Sequence, residues 1–182
     1  MRVVKHHAAL DWREAPTFMA KLAKRAGIDA QALAFTILTA ARSGEVRGMK
    51  WGELDLEDAV WTVPGSRIKA GREHRVPLQP PAIALLGEPG DPDELVFPSP
   101  IKPGKPLSDA TLAAVLKRMG QNATVHGFRS TFRDWAGETT SHPRAITVTA
   151  RTGGPYGPVR QDLHGAFVPH PVPHGNVDYH ER

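Results

Sequence analysis

Cysteine is missing from this 182-residue sequence, so a disulfide scaffold, a thiol nucleophile and a thiolate zinc site are excluded. Long apolar runs are missing too. The longest, residues 32–41, covers ten positions and includes two threonines, whereas a membrane-spanning helix needs about 20 apolar residues. Residues 1–7 carry charge without an apolar stretch behind it, so no secretory signal is expected and a cytoplasmic protein is the default. No Gly-rich phosphate loop ending in Lys-Ser/Thr occurs, no G-x-G-x-x-G and no H-E-x-x-H. The C-terminal histidines 164, 170, 174 and 180 are spaced irregularly among prolines, which does not suit a metal site on one helix face. Tyrosine is scarce, with Tyr156 and Tyr179 as its two instances.

The charge that is present is unevenly placed. Lys+Arg number 23 and Asp+Glu 19, a formal charge of +4 with the nine histidines neutral. Residues 147–182 hold three Arg, no Lys and three acids, so the surplus belongs to residues 1–146. It suits a polyanionic partner and equally a solvated basic surface.

Periodicity maps most of the chain. Phe18, Leu22 and Ala26 predict an amphipathic helix over 16–26, with Gly27 as its C-cap. Residues 30–41, with Asp29 as N-cap, are apolar nearly all round and read as the buried core helix. Ser43 is the expected N-cap of a short helix reaching Met49. Residues 59–63 and 73–78 read as two strands of a hairpin, and their link carries Arg67, Lys69 and Arg72, a basic tip. Pro77 marks the second strand as an edge or as ending there. A brief helix is expected over 80–86, another capped by Ser108-Asp109 and running to Met119, and a last one capped by Thr124 and running to about Gly137. Residues 147–182 contain five Pro, five Gly and one Leu without apolar period, and read as an irregular or disordered tail. Residues 1–13 read as the end of a linker, which leaves 14–146 as the domain.

Single residues allow two readings each. Arg42, after the most apolar helix, is either a helix-end charge or a guanidinium held near the core that needs an anionic partner. Glu45, three residues on, can orient it or form a purely structural pair with it. His126 and Arg129, at i and i+3, can share a helix face near an N-terminus and bind a phosphate, or be ordinary surface groups. Lys69 can be solvated, or can enter a nucleic-acid groove and stand beside a leaving group. Phe128 and Phe132 fit a core stripe better than a base-stacking platform.

The set is more specific than its parts. Ala40-Ala-Arg-Ser-Gly-Glu-Val-Arg-Gly48, then Trp51 with Asp55-Leu56, then Lys69 running into Arg75-Val-Pro-Leu78, then His126-Gly-Phe-Arg129-Ser-Thr-Phe132 resembles the catalytic domain of tyrosine recombinases, the phage integrase family, and most nearly its prophage-type members. The resemblance runs from about residue 5 to about residue 146. It implies a mainly α fold with a small antiparallel β-sheet (α+β) and an open basic cleft for double-stranded DNA, with copies assembling on the DNA. Arg42 and Arg129 would bind the non-bridging oxygens of the scissile phosphate. His126 would hydrogen-bond that phosphate or assist proton transfer. Lys69 would protonate the departing 5′-oxygen, and Glu45 would buttress Arg42. Arg67, Arg72 and Arg75 would contact DNA. The chemistry suits these types: planar guanidinium forks neutralise equatorial phosphoryl oxygens, and cations favour the phenolate of a Tyr whose ordinary pKa is near 10. Neither metal, ATP nor another cofactor is required, because a phosphotyrosine link conserves the bond energy.

The resemblance also implies a later His or Trp on a helix, and then a helical Tyr nucleophile. His142 stands too early for the first. Tyr156 is nearest the expected distance, but it lies in Gly153-Gly-Pro-Tyr-Gly-Pro158, which cannot form a helix. The family's separate N-terminal DNA-clamping domain has no counterpart in residues 1–13. A reading-frame change near codon 146 is expected to account for the tail, and the chain is expected to bind DNA without recombining it, either as a recombinase fragment or as a non-catalytic DNA-binding remnant.

Overall fold

The computed structural model describes residues 8–68 and 71–139. Lys69, His142, Tyr156, Tyr179 and the tail expected over 147–182 lie outside the described residues. The architecture is helical with one small sheet, as the sequence leads one to expect. Helix α1 (Ala15–Ala23) carries Pro16 in its first turn and buries Ala15, Phe18, Met19 and Leu22 along one face. It ends at Lys24, short of Gly27. Gly27, with φ of 121°, instead starts helix α2 (Ile28–Thr39). Asp29 thereby falls inside the first turn, where its Oδ1 accepts from the amide of Ala30 at 2.9 Å, and its other oxygen pairs with Arg118.

Helix α2 is the core helix its composition announces. Eight of its twelve residues are buried, among them Leu33, Phe35 and Ile37. The Phe35 ring meets Trp61 at 5.8 Å and Phe97 at 5.6 Å between centroids, so one side chain joins helix, sheet and the loop at 96–97. Such burial contributes roughly 1.5–3 kcal/mol per large apolar side chain. The helix stops two residues earlier than its apolar run, because Ala40 adopts a left-handed conformation (φ 49°).

Helix α3 (Ser43–Arg47) follows after three residues. Its N-cap is Arg42, not Ser43: the Glu45 carboxylate accepts the Arg42 backbone N–H at 2.9 Å and leaves no capping role for the Ser43 hydroxyl. Strands β1 (Leu54–Asp55), β2 (Val60–Val63) and β3 (His74–Pro77) form an antiparallel sheet in that order. The register pairs Trp61 with Val76 and Val63 with His74. The period of two turns these four side chains into the core and Arg75 outward. Pro77 closes the edge strand, where its missing N–H costs no ladder bond.

Helix α4 (Pro80–Ile83) is one turn long. Helix α5 (Thr111–Arg118) buries Leu112, Val115 and Leu116 against α2. Helix α6 (Gly127–Thr139) begins where the Thr124 hydroxyl accepts the Gly127 N–H at 2.9 Å. Phe128 is buried against Phe18, with centroids 5.2 Å apart. Residues 8–14 run across α6: the Thr131 hydroxyl donates to the Leu10 carbonyl at 2.7 Å, and Arg13 pairs with Glu138 at 2.6 Å. No helix among the described residues is long and apolar enough to cross a membrane.

Candidate phosphate-binding site

Between the α2–α3 junction and the start of α6 lies an open pocket of about 490 Å³, lined by residues 41–45 together with Arg67, Val125, His126 and Arg129. Arg42, Glu45, His126 and Arg129, expected to act together, thus share one concavity although up to 87 positions separate them in the chain.

Arg42 owes its place to the sharp turn at Ala40 and to Glu45. The Arg42 Nη1 is 2.6 Å from Glu45 Oε1, while Glu45 Oε2 accepts the Arg42 amide. The carboxylate is withdrawn, with its side chain 6% exposed, whereas the Arg42 side chain is 55% exposed. One carboxylate therefore grips the base of the fork and leaves much of it open to solvent.

Arg129 lies in the first turn of α6, and its Nη1 donates to the Ala40 carbonyl. That carbonyl is available because Ala40 leaves the helical conformation, so one backbone turn serves both arginines. His126 stands exposed just before α6. The first amide of that helix already donates to Thr124, so side-chain cations rather than that N–H supply the attraction for an anion. Gly127 is required by close packing: a Cβ there would overlap the carbonyl oxygen of Ala8, which also accepts the Thr124 amide at 2.9 Å.

Arg67 departs from expectation. Instead of standing on a solvated tip, it turns inward, with its side chain 25% exposed, pairs with Glu53 and donates to the Glu45 carbonyl at 3.0 Å. A glutamate fourteen residues upstream satisfies it, a pairing that no short-range periodicity signals. Arg72 and Arg75 are exposed and stay outside the pocket lining. Sequence reasoning also missed Ala40, whose left-handed backbone occurs at a residue type that gives no warning of it, and the Ala8–Gly127 approach. Among the described residues no group of three His, Cys, Asp or Glu side chains is placed to hold a metal ion.

Three guanidinium groups and an imidazole thus face a space large enough for a phosphodiester, with one buried carboxylate among them. Planar forks of this kind recognise phosphate oxygens bidentately.

Comparison with known proteins gives a consistent result. The family described as "Phage integrase family" matches residues 9–147. The chain is 39% identical over 100 residues to the prophage integrase IntA of Escherichia coli K12, covering 52% of this chain and 24% of that protein. It is 37% identical over 133 residues to the prophage integrase IntZ of the same organism, covering 70% of this chain and 33% of that protein. It thus spans no more than about a third of these relatives' length. Its fold is similar to that of the XerH site-specific recombinase bound to difH substrate in a pre-cleavage complex, with a TM-score of 0.63, 19% identity, and coverage of 86% of this chain and 50% of that one.

Proposed function

The chain belongs to the phage integrase family, and on that premise we propose that its pocket binds a phosphate of double-stranded DNA for site-specific integration and recombination. The observation that carries this reading is the convergence of Arg42, His126 and Arg129 on one open pocket. In the recombination reaction that such a pocket serves, a tyrosine phenolate attacks the phosphorus, a Tyr–phosphate ester forms, and the bond to the 5′-oxygen breaks. Arg42 and Arg129 neutralise the charge that accumulates on the non-bridging oxygens. His126 hydrogen-bonds the same group, and Lys69 gives its proton to the departing 5′-oxygen. No phosphate energy is lost, so the reverse attack by a 5′-hydroxyl reseals DNA without ATP, metal or another cofactor.

Glu45 acts by holding Arg42. Arg72 and Arg75 supply further backbone contacts from the exposed side of the hairpin, and copies of the chain assemble along the duplex. Residues 14–146 form the catalytic-type unit. The two tyrosines present are Tyr156 and Tyr179, and the Gly-Pro setting of Tyr156 argues against a helical nucleophile. The 182-residue chain is therefore a DNA-phosphate binder that does not cut by itself.

Fluorescence anisotropy with a labelled duplex, followed by a denaturing gel for covalent protein–DNA adduct, tests both parts. Binding that weakens on Arg42→Ala or Arg129→Ala, with no adduct, is expected. Binding indifferent to both substitutions refutes the phosphate site, and an adduct abolished by Tyr156→Phe or by Tyr179→Phe refutes the non-cutting part alone.

A further inference from the structure

Arg67 lines the pocket but is held from behind. Its Nη2 pairs with Glu53 Oε2, and the same carboxylate oxygen accepts the indole N–H of Trp61 at 3.0 Å. Trp61 is fully buried in β2. The Arg67 Nη1 donates to the Glu45 carbonyl at 3.0 Å. The guanidinium rests on Gly48, where a Cβ would come within 2.6 Å of Nη1. With side chains 25% and 13% exposed, Arg67 and Glu53 form no loose surface pair. A pair withdrawn from water is weak evidence for stability and can serve to specify one arrangement.

Glu45 is the joint of this arrangement. Arg67 holds its carbonyl, and its carboxylate holds both the side chain and the amide of Arg42. Helix α3 has five residues, too few to fix its own position by helix propagation. A continuous polar chain therefore runs from the sheet core at Trp61 through Glu53, Arg67 and Glu45 to Arg42.

We propose that Arg67 is a positioning residue: it locks the carbonyl end of α3 to Glu53, so that Arg42 meets the DNA phosphate in one orientation. This rests on the reading of the pocket as a phosphate site. Arg67 then acts through Arg42, and its loss is felt only when Arg42 is there to be misplaced.

A double-mutant cycle on the full chain tests this, with affinity for a labelled 20-base-pair duplex as readout and a thermal melt as a check that each variant folds. Arg67→Ala is expected to weaken binding about tenfold in the wild-type background and less than about twofold in an Arg42→Ala background. Arg67→Lys is expected to recover only part of the loss, since an ammonium lacks the fork that bridges Glu53 and the Glu45 carbonyl. Should Arg67→Ala fail to melt cooperatively, Glu53→Gln takes its place. It keeps an acceptor for Trp61 and is expected to give a smaller loss with the same dependence on Arg42. Equal fold-losses in both backgrounds would overturn the positioning role and leave the phosphate site intact. Unchanged affinity in Arg42→Ala itself would overturn the phosphate site and the positioning role with it.

Discussion

Helices α2 and α3 are three residues apart and are held by opposite means. Helix α2 buries eight of twelve residues among apolar neighbours from α1, α3, α4 and α5. Its position is over-determined, because many weak contacts each favour the same placement. Helix α3 buries only Glu45 and Val46. Its orientation depends on a few polar contacts, each between named atoms: Arg42 with Glu45, Arg67 with the Glu45 carbonyl, and Arg47 with the Leu107 carbonyl at 2.8 Å. The apolar helix supplies a rigid floor, and the polar helix sets cations on it. Stability and binding should therefore separate when the two are substituted.

The largest effect is expected at Phe35, where helix, sheet and loop meet. Phe35→Ala should cost about 3–5 kcal/mol of stability by leaving a cavity between Trp61 and Phe97, read as a lowered melting temperature. A loss below about 1 kcal/mol would mean that α2 is not the floor described. Gly127→Ala comes next. Its methyl collides with the Ala8 carbonyl, and overpacking of this kind costs about 1–3 kcal/mol. Because the shift reaches His126 and Arg129, DNA affinity should fall as well, which a stability defect confined to α2 would not produce in the folded fraction.

Substitution of the half-exposed Arg42 sharpens the comparison from the other side. A hydrogen bond to a charged group is worth about 1.5–3 kcal/mol, so Arg42→Ala should weaken duplex binding roughly 10- to 100-fold. Its partner Glu45 is buried and keeps only the amide of residue 42 once the guanidinium is gone, so stability should fall as well, by about 1–3 kcal/mol. A large melting shift without a binding change would reverse the assignment of α3. The smallest effect belongs to Arg75, exposed on the outer face of β3. Arg75→Ala should leave stability within about 0.5 kcal/mol. Its modest loss of affinity should disappear near 1 M salt, where the screening length is about 3 Å.

The apolar part of the molecule was legible because burial imposes periods. The face of α1, the all-round burial of α2, the alternation of β2 and β3 and the edge position marked by Pro77 follow from residue type and spacing. Helix ends were less legible. The position of α2 turned on Gly27 and Ala40 taking positive φ, and Asp29 and Ser43, both good capping residues, were displaced from capping by Gly27 and by the Arg42–Glu45 contact. Thr124 was legible as a cap because no competing contact took its hydroxyl away from Gly127. The site was visible as the Arg42, His126 and Arg129 motifs. What supports it was not, since the partner of Arg67 is Glu53 and the partner of Gly127 is the carbonyl of Ala8. Both are long-range contacts that no local pattern encodes.

The salt dependence of duplex binding tests the phosphate pocket most directly. Each phosphate that the protein neutralises adds about 0.9 to the steepness with which log affinity falls against log salt. Because Arg42 and Arg129 meet the same phosphate, replacing both with Ala should flatten the wild-type slope by about 0.9 while the protein still melts cooperatively. An unchanged slope in that double variant would show that neither guanidinium meets a DNA phosphate and would contradict the assignment of the pocket.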